Sequence, residues 1–415
     1  MTAPTPVNAT KRNRNRLPGH HRGVRGAGAL IAALSFTLLT TTPAHADGIR
    51  DQQWALATMH TDQAWRTTQG KGVTVAVLDT GVDGTHPDLG GQVLPGKDMI
   101  GFGAKEGDRS WARHGTAMAG IIAGHGHGTG NEDGVVGIAP EAQILPVRVI
   151  LEGTDPARAK ARSSKGGALA AGIRWAADHG ADVINLSLGD DSASAHPEMG
   201  EDDAVQYALA KGAVVVASAG NGGEKGDHIS YPAAYPGVIA VAAVDRYGTH
   251  AAFSTSRWYS TVSAPGDDVV IADPDRHYYE GWGTSAAAAF VSGAVALVRS
   301  AYPDLTPAQI KQLLIDTARD APKGGRDDAE GYGLVDPAAA LDAGAKLSRT
   351  DLKSEAAGYG RRYFGGGPAA AEDTTEPSGW FAPVAGGLGV LLLAGAVVLW
   401  RGGTRNGPGR LSSLR

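Results

Sequence analysis

The chain has 415 residues, of which 42% are hydrophobic and 20% charged, and its formal net charge is -5. This composition is sufficient for one large globular domain with appendages, and it excludes a wholly disordered chain. The small net charge and the lack of an evident extended basic face give little electrostatic support for nucleic-acid binding. The sequence contains no cysteine, which excludes disulfides, thiolate metal ligands and a cysteine nucleophile.

Residues 1–46 have the pattern of a secretory signal peptide. Several lysine and arginine residues precede an apolar stretch from Ala27 to Leu39, and Ala44 and Ala46 supply the small residues of a cleavage site. The alternative, a retained membrane helix, requires a longer apolar stretch. We therefore expect export of the chain, with cleavage after Ala46.

A short N-terminal extension, residues 47–70, comes next, with Trp54 and Trp65 as potential anchors against the main domain. Residues 71–346 then alternate between short runs rich in valine and isoleucine and segments with helical periodicity. The predicted strands are Val73–Leu78, Ala142–Val149, Asp182–Leu188, Ala213–Ala217 and Val238–Val244. The predicted helices are Gly115–Ala123, Gly167–His179, Asp202–Lys211 and Pro307–Ala318. This alternation predicts an α/β fold, a doubly wound parallel sheet between two layers of helices.

One further segment inside this domain has a different composition. Residues 152–167 carry four basic side chains among small residues and predict an exposed inserted loop.

The C-terminal part of the chain has the pattern of a membrane anchor. Residues 347–380 are rich in glycine, alanine and acidic side chains and predict a linker. Residues 381–400 are uncharged and long enough to cross a bilayer as one transmembrane helix. Residues 401–415 contain four arginines and no acid, so the positive-inside rule predicts a cytoplasmic tail and an extracytoplasmic main domain.

Three residues in the main domain predict nucleophilic catalysis. Asp79 ends a predicted buried strand, at the sheet edge where α/β proteins place their sites. His114 opens a helical segment of small residues and can act as general base and then general acid. Ser285 precedes a long apolar helix, whose N-terminal amides favour developing negative charge. Taken singly, Asp79 is better explained as a turn residue, His114 as a surface or packing residue and Ser285 as a helix cap.

The other candidate bases and one candidate oxyanion donor complete this set. His86 lies in a turn-like stretch before a proline, and His125 and His127 flank a glycine in what we expect to be a flexible loop. Asn221 follows a predicted buried strand, and its side-chain amide can donate to the oxygen of a reacting carbonyl together with the Ser285 amide. Alone, Asn221 is also typical of a turn.

The segments Asp79-Thr80-Gly81, His114-Gly115-Thr116, Ser218-Ala219-Gly220-Asn221 and Gly283-Thr284-Ser285, in this order, resemble those of the subtilisin-like serine proteases. The resemblance extends over about residues 71–346. It implies a subtilisin-like three-layer sandwich and a catalytic triad of Asp79, His114 and Ser285, with Asn221 in the oxyanion hole. It also implies a substrate cleft lined by Ser187, Leu188, Gly189, Ser218, Ala219 and Gly220, where an extended polypeptide substrate adds as a strand.

Within that family the arrangement looks like the mycosins, the membrane-anchored proteases of type VII secretion systems. Gln53-Trp54 and Ala64-Trp65 resemble the mycosin N-terminal extension, and too few residues lie between the expected mature start at Asp47 and Asp79 for a folded pro-domain. The chain departs from the group in having no cysteine, and from subtilisins in having Ala289 where a proline is usual. The resemblance implies a place beside a type VII membrane complex. A mainly structural, scaffolding role in that complex is the alternative.

The reaction predicted here needs no cofactor and no metal. Many subtilases hold calcium, and Asp83 and Asp88 are the residues of this chain that could contribute to such a site. Two carboxylates in a loop are more often solvated turn residues, and calcium takes about six to eight oxygen ligands. Calcium is therefore an open alternative at this point.

Overall fold

The computed structural model describes residues 48–347. The predicted signal peptide, transmembrane helix and cytoplasmic tail lie outside these residues, as does the predicted linker beyond Leu347. The strands of the described part are β1 (Thr74–Asp79), β2 (Lys97–Asp98), β3 (His125–His127), β4 (Asp133–Val136), β5 (Gln143–Arg148), β6 (Val183–Leu186), β7 (Val214–Ser218), β8 (Ile239–Val244), β9 (Ser260–Pro265), β10 (Val269–Ala272) and β11 (Tyr278–Gly281). Its α-helices are α1 (Trp54–Thr58), α2 (Thr61–Ala64), α3 (Arg113–Ala123), α4 (Arg158–Ser164), α5 (Ala168–Asp178), α6 (Met199–Ala210), α7 (Thr284–Ala301), α8 (Pro307–Thr317) and α9 (Pro337–Gly344).

Seven parallel strands form the central sheet in the order β2-β5-β1-β6-β7-β8-β9. The chain leaves β1 toward β5 on one side and later returns to β6 on the other side. Ligand sites of doubly wound sheets lie at such a switch point, outside the carboxyl ends of the strands. The predicted doubly wound α/β fold is confirmed, and its switch point lies between β1 and β6.

Side chains of β1 alternate between two hydrophobic layers. Val75 and Val77 are fully buried in the cluster that contains residues of α3 and α7. Ala76 and Leu78 are fully buried in the second cluster, with residues of α5 and α6. A strand covered on both faces requires apolar residues at every position, which is why the sequence of β1 shows a continuous apolar run.

The predicted strand and helix segments agree with the structure to within a few residues at their ends. Residues 152–167 are mostly exposed, as predicted, but the prediction of a loop is wrong because the segment contains α4. Asp155 accepts hydrogen bonds from the amides of Ala157 (2.8 Å) and Ala104 (2.8 Å), which tie the start of this helix to the main domain. Lys160 also lies over the ring of Phe102, 4.7 Å from its centroid.

The prediction of a flexible loop at His125 and His127 is also wrong, because these residues belong to β3. This strand pairs antiparallel with β4, and the pair is separate from the main sheet. Glycine-flanked histidines have no strand periodicity of their own, so the pairing depends on the partner strand rather than on local preference.

The N-terminal extension lies against the main domain through specific hydrogen bonds. The indole N–H groups of Trp54 and Trp65 donate to the carbonyls of Asp268 and Ile138, each at 2.8 Å. The Gln53 side-chain amide both donates to the carbonyl of Val136 (2.8 Å) and accepts from its amide (2.9 Å). These contacts hold the extension against β4 and the segment before β10.

Within the described residues, α7 is the one helix long and apolar enough to span a membrane, and 83% of its apolar window is buried inside the fold. Because α7 contacts β6, β7, β8 and β9, it is the core helix of this domain. Its first residues are Thr284 and Ser285, so the fold places the predicted nucleophile at the N-terminus of a rigid, buried element.

Candidate active site

Asp79 ends β1 at the switch point of the sheet and is completely buried. Its Oδ1 accepts a hydrogen bond from the Thr80 amide at 2.7 Å. An isolated buried carboxylate is unfavourable, so a buried Asp needs further donors. The structure supplies one from α3.

That donor is His114, the second residue of α3. Its Nδ1 lies 2.9 Å from both carboxylate oxygens of Asp79. Gly115 makes this approach feasible, because a Cβ at this position would overlap the carbonyl oxygen of Gly81. A side chain at position 115 would therefore push α3 away from the turn that follows β1.

The surroundings of His114 favour its charged form. Burial opposes the charge, but the negative charge of Asp79, its hydrogen bond and the charge of Glu152 outweigh burial and raise the pKa of His114 to about 9. The side chain remains 31% exposed, so the ring is accessible to a substrate although Asp79 is not.

Ser285 is the second residue of α7, and α7 packs against α3. Its hydroxyl donates to the carbonyl oxygen of Ser187 (3.1 Å), and the Ser187 hydroxyl donates to the carbonyl oxygen of Ser285 (2.8 Å). Among the residues that the structure describes, the Ser285 hydroxyl makes no hydrogen bond to His114 in this rotamer. Rotation about the Cα–Cβ bond redirects the hydroxyl, and catalytic hydrogen bonds often tighten only when substrate is bound.

A buried network of hydrogen-bonded polar side chains holds Ser187 in position. Asn185 Nδ2 donates to Ser187 Oγ (2.9 Å), and the Ser292 hydroxyl donates to Asn185 Oδ1 (2.9 Å). Asn185 and Ser292 are both fully buried. This network therefore links β6 to α7 and fixes the position of Ser285 relative to the sheet. Sequence reasoning missed Asn185, although a polar residue inside an otherwise apolar strand is a recognisable signal.

The orientation of the Asn221 side chain is fixed by Thr284. The Thr284 amide lies 2.9 Å from Asn221 Oδ1, and the Thr284 hydroxyl lies 3.0 Å from the same atom. A backbone N–H can only donate, so the atom facing it must be the amide oxygen, and the Asn221 NH2 group is left as a donor. The backbone N–H of Asn221 donates to the Asp191 carboxylate at 2.8 Å, and this hydrogen bond anchors the Asn221 backbone.

Two donors border the same space beside Gly283. A Cβ built on Gly283 would lie 3.7 Å from Asn221 Nδ2 and 3.8 Å from the Ser285 amide nitrogen. Gly283 has φ of 140°, a conformation that L-residues rarely adopt. The Ser285 amide lies in the first turn of α7, where intrahelical acceptors are absent. A carbonyl oxygen placed here could accept from both groups.

The two segments predicted to line a cleft differ in their free hydrogen-bonding groups. The pairing of β6 with β7 ends at Leu186 and Ala217, and residues 187–189 and 218–220 follow. In the second segment, the Ala219 amide donates to Val241 (2.9 Å) and the Gly220 carbonyl accepts from Thr255 (3.0 Å). In the first segment, the carbonyls of Ser187 and Leu188 accept from the hydroxyls of Ser285 (3.1 Å) and Ser218 (3.5 Å), but the amides of residues 187–189 make no hydrogen bond among the described residues. An added strand can therefore pair with these amides, whereas residues 218–220 are limited to forming a wall.

Ser230 occupies the slot between these segments and was missed by sequence reasoning. A Cβ built on Gly189 would lie 2.8 Å from Ser230 Oγ, and one built on Gly220 would lie 3.1 Å from Ser230 Cβ. Ser230 is 1% exposed, and its hydroxyl has no hydrogen-bond partner within residues 48–347. The side chain thus contacts both walls and leaves little free volume between them.

The rival histidines are bonded elsewhere. His86 is fully buried, its Nδ1 accepts from the Asp88 amide (3.2 Å), and burial lowers its pKa. His125 Nε2 bonds to the Gly90 carbonyl at 3.0 Å. His127 Nδ1 lies 2.6 Å from Asp88 Oδ1, and because a carboxylate accepts, the ring carries a proton there. Only His114 is paired with the carboxylate at the end of β1.

The residues around Asp88 do not fit calcium. Besides His127, its oxygens accept from the Val135 amide (2.9 Å) and the Tyr278 hydroxyl (2.9 Å). Asp83 Oδ1 accepts from both the amide (2.9 Å) and the hydroxyl (2.7 Å) of Thr85. Across the part of the chain that the structure describes, no group of three His, Asp or Glu residues is arranged to hold a metal ion. Protein donors therefore already bind three of the four carboxylate oxygens of Asp83 and Asp88, whereas calcium takes about six to eight oxygen ligands.

Comparison with known proteins identifies close similarities. The subtilase family matches residues 70–333. Fervidolysin from Fervidobacterium pennivorans is 39% identical over an alignment of 333 residues, which covers 73% of this chain and 46% of fervidolysin. Thus the chain spans about half the length of that relative.

Solved structures give the same fold. MycP1 from Mycobacterium smegmatis has a TM-score of 0.61 and 32% identity, covering 72% of this chain and 86% of that one. MycP3 protease from the type VII (ESX-3) secretion system has a TM-score of 0.60 and 32% identity, covering 72% of this chain and 90% of that one.

Proposed function

The chain belongs to the subtilase family, and we propose that it is a serine endopeptidase that uses Asp79, His114 and Ser285 as its catalytic triad. The observation that carries the proposal is the pairing of His114 with the buried Asp79 on a helix that packs against α7. A serine hydroxyl is a weak nucleophile and needs an adjacent base, which is in turn oriented by a third group.

The reaction follows from these positions. His114 Nε2 takes the proton of Ser285 as Oγ attacks the scissile carbonyl carbon, and a tetrahedral intermediate forms. Asn221 and the Ser285 amide donate to its oxyanion. His114 then gives the proton to the leaving amine, the C–N bond breaks, and water hydrolyses the acyl-enzyme by the same steps. Asp79 holds the ring in the productive tautomer throughout. Every catalytic group in these reaction steps is a side chain or a backbone amide of the protein, so we propose that the reaction needs no cofactor.

The substrate is proposed to be an extended polypeptide. The segment of Ser187, Leu188 and Gly189 would pair with its backbone, and the segment of Ser218, Ala219 and Gly220 would form the opposite wall. The amides of residues 187–189, which make no hydrogen bond among the described residues, support this assignment. Ser187 has a second role in this proposal, because its hydroxyl and carbonyl both bind Ser285.

The nucleophile is tested by labelling the purified full chain with a fluorophosphonate probe. We expect wild type to be labelled and Ser285→Ala to be unlabelled. Ser300→Ala, at the other end of α7, is the matched control and should label like wild type. Equal labelling of wild type and Ser285→Ala would contradict the assignment.

We further propose that the protease is membrane-anchored and acts beside a type VII secretion complex. The likeness to MycP1 and MycP3 supports this role, as do the predicted signal peptide and C-terminal helix. Because the sequence has no cysteine, a single Ser413→Cys substitution allows a clean topology test. An impermeant maleimide should label it only after cells are permeabilised; labelling of intact cells would contradict a cytoplasmic tail.

Secretion separates the enzymatic role from the scaffolding alternative. In a host with such a system, a Ser285→Ala strain should show altered processing of an exported polypeptide, detected by terminal proteomics. Full secretion and unchanged termini in that strain, with loss of secretion in a deletion strain, would instead support a scaffold.

A further inference from the structure

Glu152 binds the backbone of the proposed catalytic histidine. Ala112, the N-cap residue of α3, has a left-handed conformation and makes no side-chain capping hydrogen bond. The amide of His114, in the first turn of that helix, donates instead to Glu152 Oε1 at 2.8 Å. First-turn amides lack intrahelical acceptors, so a residue 38 positions later in the chain supplies the cap that the local sequence lacks.

The segment that carries Glu152 is hydrogen-bonded to the end of β1, the same strand end that carries Asp79. It leaves β5, where the amides of Val149 and Ile150 both donate to the Asp79 carbonyl, at 2.9 and 3.3 Å. The Arg158 guanidinium donates to the carbonyl of Leu151, which is 1% exposed. The Asp155 amide closes a turn onto the Glu152 carbonyl at 3.1 Å. Glu152 is therefore fixed relative to Asp79 as well as to His114.

Three charged groups face the imidazole from the elements around α3. Asp79 from β1 and Glu152 from the segment after β5 both favour the imidazolium, while Arg158 from α4 opposes it. Arg113, on α3 itself, is paired with Asp273 at 2.5 Å. The negative charge of Glu152 also lies at the positive end of the α3 dipole, where an anion is stabilised.

We propose that Glu152 is a positioning residue for His114: its carboxylate caps α3 at the His114 amide and supplies a second negative charge for the imidazolium that forms during turnover. The inference rests on the proposed triad. Stabilising the imidazolium makes the neutral imidazole a stronger base toward Ser285, but a higher pH is then needed to keep the ring neutral before each turnover.

Two substitutions separate the cap from the charge. Glu152→Gln keeps an oxygen acceptor for the His114 amide and removes the charge, whereas Glu152→Ala removes both. Glu141→Gln is the matched control, because Glu141 precedes β5 at the opposite edge of the sheet. The readouts are the pH profile of kcat/KM for a peptide substrate and the NMR titration of His114 in isotope-labelled protein, assigned with a His114→Gln variant.

For Glu152→Gln, we expect the inflection of both profiles to move to lower pH by roughly 0.5–1 unit, with a plateau near that of wild type. For Glu152→Ala, we expect the same displacement and a plateau about tenfold lower, since the amide loses its acceptor. Glu141→Gln should match wild type. An unchanged inflection for Glu152→Gln in both measurements would overturn the proposal.

The NMR titration keeps this inference distinct from the proposed function. If Ser285→Ala kept full activity, the triad would be wrong, yet the titration would still report whether Glu152 acts on His114. If activity required Ser285 but the inflection of the His114 titration were the same in wild type and Glu152→Gln, only the role of Glu152 would be refuted.

Discussion

Both carboxylate oxygens of Asp79 lie 2.9 Å from Nδ1 of His114. Asp79 is completely buried, whereas the His114 side chain is 31% exposed. The carboxylate therefore acts on the reaction only through the ring, by holding a proton on Nδ1 and favouring the imidazolium. This one contact affects the tautomer, the pH dependence and the stability of the fold.

Stability and activity should change in opposite directions above neutral pH. The folded-state pKa of His114, about 9, is raised above the ordinary value of 6.5. The stability that this protonation contributes is fully present below pH 6.5 and is lost as pH rises through about 9. Catalysis needs the neutral base, so kcat/KM should rise over the same window. Urea unfolding of Ser285→Ala and kcat/KM of wild type, both between pH 6 and 10, check this; an activity inflection near 6.5 would contradict it.

Replacing the carboxylate by an amide should affect catalysis far more than folding. Asp79→Asn keeps the shape of the side chain but allows the ring to take the wrong tautomer, and a loss on the order of 10⁴ in kcat is expected. Thermal unfolding and steady-state kinetics of the same preparation are the measurements. Asp98→Asn, on the exposed edge strand β2, is the control and should retain wild-type kcat.

Thr284 should control the oxyanion donor without contacting substrate. Asn221→Ala should lower kcat by about 10²–10³, the cost of one oxyanion donor in a subtilisin. Thr284→Ser keeps the hydroxyl that binds Asn221 Oδ1 and should be near wild type, whereas Thr284→Val loses it. We expect Thr284→Val to lie between wild type and Asn221→Ala in kcat, with little change in KM. A Thr284→Val variant with wild-type kcat would show that the backbone contact alone orients Asn221.

The sequence predicted the strands where local pattern is decisive. Valine-rich runs such as β1 and β7 are buried on both faces, so composition and structure agree. Strand β9, Ser260–Pro265, was missed because its buried positions include two serines and a threonine, which interrupt the apolar run. Its identity depends on pairing with β8, which no local pattern reveals.

The candidate site also contains residues that the sequence predicts and a residue that it does not. Asp79 ends a strand, His114 and Ser285 lie at the starts of helices, and Asn221 follows shortly after the end of β7, and each placement is recognisable in sequence. Glu152 was missed because its partner lies 38 residues away and the contact is to a backbone amide, which leaves no side-chain pattern.

Metal removal should leave the protein unchanged. The oxygens of Asp88 already accept hydrogen bonds from His127, Val135 and Tyr278, so the structure of this region does not depend on a contact to a metal ion. The melting temperature in excess chelator should equal that in calcium. Tyr278→Phe should lower the free energy of unfolding by about 1–3 kcal/mol, because a buried carboxylate loses a donor. Tyr247→Phe, at a site 85% exposed, is the control. A fall of several degrees on chelation would instead indicate a calcium site.

Ser230 should set the size of the side chain accepted next to the scissile bond. Its hydroxyl is buried without a partner in the described part of the chain, between Gly189 and Gly220. Ser230→Gly removes the side chain from the slot, so we expect larger residues to gain in kcat/KM relative to alanine by about 10–200-fold. Ser230→Val should have the opposite effect by filling the slot. Peptides that differ only at this residue provide the measurement, and Ser194→Gly, at an exposed position, provides the control. Because Ser230→Gly and Ser230→Val change the slot in opposite directions, a common loss of activity would indicate misfolding. An unchanged preference in two active variants would place the pocket elsewhere.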